Sequence, residues 1–320
     1  MTLSIEQGAA VMARLRAAVA ARVIGQDAAI EDAMVAFLAR GHLLIEGVPG
    51  TAKTLLVRTL GRALGVRFSR IQFTPDLMPS DVTGVSMLRD PARGFEFQPG
   101  PIFTDLLLAD EINRAPAKTQ AALLEGMGER QVTVDGVTRR LDPLFTVYAT
   151  QNPVEHEGTY PLPEAQLDRF LLKTVIGYPS SAAELEMLAL HEAGFDPDRA
   201  SEDAPPPAVT GEEARELRML VEGVRVAPEV RAYIVQVTRA TREESALSLG
   251  ASPRATVALM RAARAAAVLQ GRDFATPDDV KDRVLAALRH RITLAPELEV
   301  EGRTPDDVLL AVLSHVEAPR

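Results

Sequence analysis

The segment Gly47–Thr54 constrains the fold of this chain more than any other, because it carries a phosphate-binding pattern between an apolar strand-like run and a helical pattern. It reads Gly-Val-Pro-Gly-Thr-Ala-Lys-Thr and fits G-x-x-x-x-G-K-[ST], except that Ala52 replaces the last glycine. Glycines let backbone amides approach phosphate oxygens, and a helix start adds positive potential. Lys53 is expected to reach the outer phosphates and Thr54 to ligate magnesium; an ordinary Gly-Pro turn is the alternative. The candidate nucleotide-binding residues here are Gly47, Val48, Pro49, Gly50, Thr51, Ala52, Lys53 and Thr54.

Two carboxylates end the apolar run Leu106–Ala109, one helix-strand unit after the phosphate loop. Ligands bind at the carboxyl ends of strands in open α/β sheets, so Asp110 and Glu111 are expected at the same edge as the loop. Asp110 would hold magnesium through water, and Glu111 would polarise an attacking water. Acidic residues alone are weak evidence, because strands often end in them at the surface. Together with the phosphate loop they predict binding and hydrolysis of a nucleoside triphosphate.

Two further side chains extend this candidate site. Asn152 follows the strand-like run Leu144–Thr150, where its amide could orient the attacking water. Arg169 comes just before the last such run, and we expect it at the edge of the domain, away from the phosphates of its own chain. A surface salt bridge is the alternative role for this arginine.

Strand-like runs alternate with helical patterns over residues 1–180, which predicts a parallel sheet covered by helices on both faces. The predicted strands are His42–Glu46, Arg67–Phe73, Ile102–Asp110, Leu144–Thr150 and Leu171–Ile176. Helix starts are predicted at Ser4, with Gln7 as its capping-box partner, at Gln26, and at the Thr276-Pro277 pair.

Two segments interrupt this alternation. The stretch over about residues 74–101 is too long for an ordinary connection, and Gln131–Leu141 reads as a hairpin around an Asp135-Gly136 turn. Residues 181–210 read as a linker with three consecutive prolines, and from Gly211 the pattern is helical only. The chain should therefore divide into an α/β domain at 1–180 and a smaller all-helical domain at 211–320.

Composition limits the function classes. A net charge of −9 argues against a broad nucleic-acid surface, and the absence of cysteine excludes disulfides and thiolate chemistry. There is no signal-peptide pattern and no long uninterrupted apolar run, so we expect a cytoplasmic protein that is neither secreted nor inserted in a membrane. The histidines have no paired metal-ligand spacing and receive no role; they are His42, His156, His191, His290 and His315.

With these residues in hand, the chain resembles the AAA+ ATPases, and within them the MoxR family, over roughly residues 4–320. In that family alanine is usual at the position of Ala52. The matching segments are Gly47–Thr54, Leu108–Pro116, Lys118–Gln120, Glu129–Val132, Ala149–Pro153, Leu162–Phe170 and Ser252–Arg254. The resemblance implies an AAA+ P-loop domain with a five-stranded parallel sheet, followed by a helical lid domain, with ATP and Mg²⁺ as cofactors.

The resemblance also implies roles for individual residues. Val23, Ile24, Gly25 and Gln26 would line the adenine pocket; Asn152 would be sensor 1, Arg169 the arginine finger and Arg254 sensor 2. An arginine finger acts on the nucleotide of a neighbour, so a homo-oligomeric ring, usually a hexamer, is implied. Residues 74–101 would be the helix-2 insert and 131–141 the pre-sensor-1 hairpin, both facing a pore or a substrate. The implied partners are a protein client and a separate protein with a von Willebrand factor A domain.

Three functional hypotheses follow from the sequence. We prefer a ring ATPase that remodels a protein partner. A regulatory module whose hydrolysis is incidental is the second, and no residue separates it from the first. A DNA-acting motor is the third, because the hairpin carries Arg139 and Arg140, although two arginines on a hairpin more often form a solvated face. Gln72 either couples the insert to Glu111 or is a buried amide that satisfies the backbone.

Overall fold

The computed structural model describes residues 3–90, 94–153, 159–196 and 206–319. Its first part contains α1 (Ile5–Ala20), α2 (Asp27–Leu38), β1 (Leu43–Gly47), α3 (Lys53–Ala63), β2 (Phe68–Gln72), α4 (Pro79–Thr83), β3 (Gly84–Asp90), β4 (Gly94–Pro99), β5 (Leu106–Asp110), α5 (Ala117–Glu129), β6 (Gln131–Val134), β7 (Val137–Arg140), β8 (Thr146–Gln151), α6 (Glu164–Leu167) and β9 (Leu172–Ile176). The second part contains α7 (Ser181–Glu192), α8 (Gly211–Gly223), β10 (Arg225–Val226), α9 (Pro228–Glu243), β11 (Leu247–Leu249), α10 (Pro253–Leu269), β12 (Phe274–Ala275), α11 (Pro277–Leu288), β13 (Thr293–Leu294), α12 (Pro296–Val300) and α13 (Pro305–His315).

The five apolar runs pair into one sheet in the order β2-β5-β8-β1-β9, and every neighbouring pair is parallel. This confirms the predicted five-stranded parallel sheet. Because the strands are parallel, all their carboxyl ends lie at one edge and all their amino ends at the other. We call these the carboxyl edge and the amino edge of the sheet.

All five strands start later than predicted, β1, β2 and β9 by one residue and β5 and β8 by more. The β5 strand begins at Leu106 and not at Ile102, because the backbone from Gly100 to Thr104 closes short turns, with Phe103 N donating to Gly100 O over 3.1 Å. The β8 strand begins at Thr146, because Asp142 Oδ1 accepts the amide of Leu144 at 2.8 Å and turns the chain there. Apolar character alone does not separate such buried turns from strands.

The predicted helix starts are confirmed. Ser4 Oγ accepts the amide of Gln7 at 3.2 Å, while Gln7 Oε1 accepts the amide of Ser4 at 2.8 Å. The same reciprocal pair joins Thr276 and Asp279 ahead of α11, with Pro277 in the first turn. Each cap satisfies two backbone donors that would otherwise lack partners at a helix start.

The two interruptions form two hairpins that touch. Residues 74–101 contain the short helix α4 and the β3-β4 hairpin, while β6 and β7 form a second hairpin around the Asp135-Gly136 turn, both residues having positive φ. The guanidinium of Arg139 lies 3.7 Å from the ring centroid of Phe97, so the hairpins are in contact through a cation-π pair.

The second part of the chain is mainly helical but differs from a helix-only pattern. Strands β10 and β12 form a short parallel pair and β11 and β13 a short antiparallel pair. Their two or three residues are too few for alternation to be visible in the sequence. Helix α7 lies within the segment predicted as a linker. Among its residues only Ala183 is buried, and its large apolar side chains Leu185, Met187 and Leu188 are exposed.

A continuous hydrophobic core joins the two parts. It contains residues of α1, α2, β1 and β9 together with residues of α8 to α11, while a separate cluster lies on the other face of the sheet under α5. Across the described ranges, no helix has the length and apolarity needed to cross a membrane.

Candidate functional site

The phosphate loop leads from β1 into α3 through two residues with left-handed backbone, Gly50 at φ 82° and Ala52 at φ 63°. For alanine this conformation costs about 1 kcal/mol. Ala52 nevertheless adopts the backbone conformation that the last glycine of the motif would have. Gly47 has a different reason to be glycine. A Cβ there would lie 2.5 Å from the carbonyl oxygen of Ile176 in the neighbouring strand β9.

Lys53 lies folded over the loop, where its ammonium donates to the carbonyl oxygens of Gly47 at 2.5 Å and Val48 at 2.7 Å. These oxygens belong to the same segment whose amides are expected to cradle phosphate. The ammonium is therefore already placed at the loop and can exchange carbonyl oxygens for phosphate oxygens.

Asp110, at the end of β5, is only 5% exposed and accepts four hydrogen bonds. Thr150 Oγ1 donates to its Oδ1 at 2.6 Å, and Thr54 Oγ1 donates to its Oδ2 at 3.1 Å. The two predicted metal ligands are thus adjacent, and a carboxylate with a hydroxyl oxygen is a ligand pair that suits Mg²⁺. Arg70 supplies the remaining two hydrogen bonds, from Nε at 3.1 Å and Nη2 at 2.8 Å.

Glu111 follows directly in a left-handed conformation, φ 56°, and its amide donates to Thr150 Oγ1 at 2.8 Å. Its Oε2 accepts from Gln72 Nε2 at 2.8 Å and from Arg114 Nη1 at 3.0 Å. Gln72 is half-buried, and its side chain contacts Glu111 and Arg70 rather than the backbone. Of the two roles considered for Gln72, these contacts favour coupling to Glu111.

These side chains line one cavity of about 540 Å³ at the carboxyl edge, which we call the phosphate-loop cavity. Lys53, Arg58 and Arg70 give it positive charge, and Asp110 and Glu111 give it two carboxylates. Its lining residues are Pro49, Gly50, Thr51, Ala52, Lys53, Thr54, Leu55, Arg58, Arg70, Gln72, Asp110, Glu111, Asn152 and Met187. The structure therefore collects the loop, both carboxylates and Asn152 around one space that would accept a polyphosphate and a cation.

A second, mainly apolar cavity of about 440 Å³ adjoins the first, with which it shares Leu55 and Met187. Ile24 lines it, whereas Val23 is buried in the core. Gln26 Nε2 donates to the carbonyl oxygen of Gly177 at 3.2 Å and so ties this segment to the end of β9.

Gly25, in the same segment, has φ 72°, and a Cβ there would lie 2.7 Å from the Cβ of Ala183 in α7. Of the four residues predicted for an adenine pocket, Ile24 contacts the cavity and the others hold the segment in place. A flat apolar group fits this position beside the phosphate loop.

Arg169 and Arg254 lie elsewhere, around a cavity of about 460 Å³ that we call the arginine cavity. It is at the amino edge, because His42 precedes β1 and Leu171 precedes β9. Its charged lining residues are Arg40, Glu129, Arg130, Asp168, Arg169, Arg254, Arg261 and Arg291. Strand β1 has five residues and spans roughly 16 Å, so the two cavities lie a strand length apart. The expected position of Arg169 away from its own phosphate loop agrees with this placement, but Arg254 lies there too.

The arginines of this cavity differ in how firmly they are held. Arg291 is nearly buried and donates to Asp168 Oδ1 at 2.7 Å and to the carbonyl oxygen of Leu171 at 2.9 Å. Arg169 is exposed and donates to one carbonyl oxygen, that of Leu124, at 3.0 Å. Arg254 is exposed and, within the described ranges, has no hydrogen-bond or ion-pair partner. The two predicted functional arginines are therefore the ones available to an external anion.

Burial shifts the titration of several groups beside this cavity. The pKa values of Arg130 and Arg261 are lowered, first by burial and then by neighbouring arginines. Burial also lowers the pKa of His42 to about 3. This neutral ring accepts the amide of Val147 at Nδ1, 2.9 Å away, and contacts the carbonyl oxygen of Met127 through Nε2 at 3.2 Å.

Among the described residues, the other histidines line neither the phosphate-loop cavity nor the arginine cavity, and His191 lines the apolar cavity. His290 is buried against the carbonyl oxygen of Phe170, 3.1 Å from its Nε2, and its pKa is lowered by burial. His191 contacts the carbonyl oxygen of Phe195, and His315 ends α13. His156 is outside the described residues. Across the described ranges, no group of three or more histidine, aspartate or glutamate side chains could hold a metal ion.

Three residues that contact Asp110 or Glu111 were not assigned a role from the sequence. Thr150 is fully buried between Asp110 and Glu111, and a polar residue at the end of an otherwise apolar strand was the available signal. Arg70 and Arg114 reach the carboxylates from β2 and from the turn after β5. Arg114 lies within the family-matching segment Leu108–Pro116 without an assigned role, and no sequence pattern marks Arg70.

Comparison with known proteins agrees with this arrangement. Residues 42–172 match the ATPase family associated with various cellular activities (AAA), and residues 239–312 match the AAA lid domain. The chain is 43% identical to Chaperone MoxR1 of Mycobacterium tuberculosis, with 93% of this chain and 80% of that protein covered. It is 32% identical to Protein MoxR of Methylorubrum extorquens, with 96% and 95% covered.

A solved structure shows the same architecture. The crystal structure of a candidate ATPase from Cytophaga hutchinsonii superimposes with a TM-score of 0.87 at 38% identity, covering 98% of this chain and 96% of that one. Sequence matches to both domains, similarity to two MoxR proteins over most of their length and a shared fold lead to one conclusion. The chain belongs to the MoxR family of AAA+ ATPases.

Proposed function

We propose that this protein hydrolyses ATP with magnesium between neighbouring subunits of a ring and uses the reaction to remodel a protein partner. The observation that carries the proposal is the separation of two cavities across the sheet. One has a phosphate loop and carboxylates, and the other has two arginines available to an anion. Neither cavity holds a full set of residues for hydrolysis.

The phosphate-loop cavity supplies one half of the site. Lys53 would contact the outer phosphates, and Glu111 would take the proton of the attacking water, which Asn152 would orient. Thr54 and Asp110 would hold magnesium, which would neutralise charge on the phosphate oxygens. Ile24 would contact the adenine in the adjoining apolar cavity.

The arginine cavity supplies the other half, to the next subunit. Arg169 would stabilise the charge that develops on the phosphoryl group, the role of an arginine finger. Arg254 lines the same cavity, so we assign it to the nucleotide of the neighbour and not to that of its own chain. Such a head-to-tail contact joins two different surfaces and closes into a ring when the rotation permits. A hexamer is the ring size that family resemblance favours.

We propose that the two hairpins contact the protein client. The tip of the β3-β4 hairpin exposes apolar side chains: Met87 is 50%, Leu88 53% and Phe95 76% accessible. Apolar surface of this kind suits contact with another protein. One relative is named a chaperone, and family resemblance adds a partner protein with a von Willebrand factor A domain. Arg139 is stacked on Phe97, and this weakens the hypothesis that Arg139 and Arg140 bind DNA.

Substitution of Glu111 by glutamine tests the catalytic part. The variant should bind ATP like the parent, because Glu111 does not contact the loop, while turnover should fall about 100-fold or more through loss of the base. Nucleotide binding by fluorescence and phosphate release measure the two effects, with Lys53→Ala as the control that loses binding. A Glu111→Gln variant that keeps full turnover contradicts the proposal.

Mixing two inactive variants tests the shared site. Glu111→Gln subunits keep Arg169, and Arg169→Ala subunits keep Glu111, so a mixed ring contains interfaces with both residues. Hydrolysis should return on mixing, after conditions that allow subunits to exchange. If the mixture stays as inactive as its components, the two residues do not act across an interface.

A regulatory module is the second candidate function. It is favoured by the two hydrogen bonds that Glu111 Oε2 accepts, because they compete with its action as a general base. In that case nucleotide state alone would control the partner. A Glu111→Gln strain distinguishes the two, since it supports partner function only if hydrolysis is dispensable.

A further inference from the structure

The phosphate-loop cavity contains an arginine for which the proposed function has no role. Arg70 lies on β2, half-exposed, and donates to Asp110 Oδ2 from both Nε and Nη2. The same Nη2 donates to Gln72 Oε1 at 2.6 Å. Arg70 thus connects the candidate metal ligand Asp110 with Gln72, the residue that contacts Glu111.

The contact between Arg70 and Asp110 conflicts with metal binding. Oδ2, which Arg70 contacts, is also the oxygen of Asp110 that accepts from Thr54 Oγ1, and these two side chains are the candidate magnesium ligands. A guanidinium and a divalent cation at the same oxygen would repel each other strongly in a partly buried site. Binding of the metal between Thr54 and Asp110 therefore requires the guanidinium to leave Oδ2.

The cavity offers the displaced guanidinium one kind of new partner. Lys53, Arg58 and Arg70 all line it, and its carboxylates would be engaged by the metal and by Gln72 and Arg114. The remaining anion in a nucleotide complex is the terminal phosphate. A guanidinium binds phosphate oxygens through two parallel hydrogen bonds, which would replace the two that Arg70 donates to Asp110.

We infer that Arg70 is a phosphate-binding residue of its own chain, which exchanges Asp110 for the terminal phosphate of ATP when the metal binds. This inference rests on the proposed function, because it assumes that the cavity binds ATP and a divalent cation. ADP lacks the terminal phosphate and gives Arg70 no such partner. Arg70 therefore makes the metal-loaded site prefer triphosphate over diphosphate.

The exchange also reaches Glu111. Arg70 Nη2 donates to Gln72 Oε1 and so orients the Gln72 amide, whose Nε2 donates to Glu111 Oε2. When Arg70 moves to phosphate, Gln72 loses the partner that orients it. Occupancy of the phosphate position thus changes the hydrogen bonding of Glu111 through a single side chain.

The test compares the affinities of ADP and of the β,γ-imido analogue of ATP, each with Mg²⁺ and with EDTA. With Mg²⁺, Arg70→Ala should lower the preference for the ATP analogue at least about 10-fold, because one hydrogen bond to a charged group is worth about that factor and two are lost. With EDTA the preference should match that of the parent, because Arg70 then stays on Asp110. Arg239→Ala is the matched control, since Arg239 is an exposed arginine on α9 far from the cavity.

A direct readout of the metal completes the test. Mn²⁺ binding in the presence of ADP, followed by electron paramagnetic resonance, should be tighter in Arg70→Ala, because the competitor at Asp110 is gone. Arg70→Lys keeps the charge but not the paired donors, and its preference should lie between those of the parent and Arg70→Ala.

Each contrary outcome has a distinct meaning. An unchanged preference with Mg²⁺ overturns the role of Arg70, and an equal drop with Mg²⁺ and EDTA overturns its displacement by metal. If the parent protein binds neither nucleotide, the proposed function itself fails, whatever Arg70 does.

Discussion

The phosphate-loop cavity and the arginine cavity are similar in volume but opposite in design. The first has cations and carboxylates close together, with Asp110 and Glu111 hydrogen-bonded to five other residues, Thr54, Arg70, Gln72, Arg114 and Thr150. The second is dominated by arginines, two of which are exposed and weakly held. The first is arranged to hold a ligand inside one chain, whereas the second presents charge outward. Under the proposed function, a complete site uses both edges of the sheet and therefore two chains.

The largest expected effect comes from removing Arg169, the proposed arginine finger. Arg169→Ala should lower turnover about 1,000-fold, because the charge on the transferring phosphoryl group loses its stabilising partner. Binding of the ATP analogue to isolated subunits should stay unchanged, because Arg169 lies a strand length from the phosphate loop. Phosphate release and nucleotide titration measure the two quantities, with Arg239→Ala as control. A parallel loss of binding in isolated subunits would mean that Arg169 acts within its own chain.

A second prediction compares the contributions of two arginines of the arginine cavity, Arg291 and Arg254, to the free energy of unfolding. Asp168→Asn removes the carboxylate partner of nearly buried Arg291 and should lower the free energy of unfolding by about 3 kcal/mol. Arg254→Ala removes an exposed side chain that has no partner among the described residues, so the free energy of unfolding should change by less than about 0.5 kcal/mol. Urea unfolding of both variants checks the difference. Equal losses in the two variants would contradict the distinction.

A third prediction concerns His42, which lines the arginine cavity and whose effect per pH unit is smaller than that of Asp168→Asn. Its pKa of about 3 lies below its ordinary value of 6.5, so between these pH values the unfolded chain binds a proton that the folded chain does not. Stability is therefore lost as the pH falls from 6.5 toward 3, by about 1.4 kcal/mol per pH unit. His42→Gln should remove this share of the slope, since its amide can serve both Val147 and Met127.

Unfolding by urea at a series of pH values tests the His42 prediction. The slope should be flatter in His42→Gln than in the parent below about pH 6, with His290 and the carboxylates still contributing. His191→Gln is a matched control, because that histidine is exposed. An unchanged slope in His42→Gln would show that the ring is not kept neutral by burial.

Local patterns predicted much of the fold, because the information for it is local. The strand-like runs gave the sheet, and the caps at Ser4 and Thr276 gave helix starts, since each depends on residues within one turn. The phosphate loop and the Asp110-Glu111 pair were found the same way. Their convergence at one edge followed from the parallel strand order.

Long-range geometry accounts for what the sequence did not reveal. Arg254 lies beside Arg169 because the lid packs at the amino edge of the sheet, a placement that no spacing encodes. Arg70 contacts Asp110 because β2 pairs with β5, and a single arginine in a strand-like run carries no signal of its partner. The strands of the lid are too short to alternate visibly.

The stacking of Arg139 on Phe97 has a mechanical consequence. The β3-β4 hairpin follows β2, which carries Arg70 and Gln72, while the β6-β7 hairpin lies between α5, whose end lines the arginine cavity, and β8, which leads to Asn152. Since the guanidinium clamps the two hairpins together, force applied to either tip is shared by both. Under the proposed function, a client that pulls on the exposed apolar side chains of the β3-β4 hairpin would load three connections to the candidate site at once. A conformational change in that site would reach the client along the same three connections.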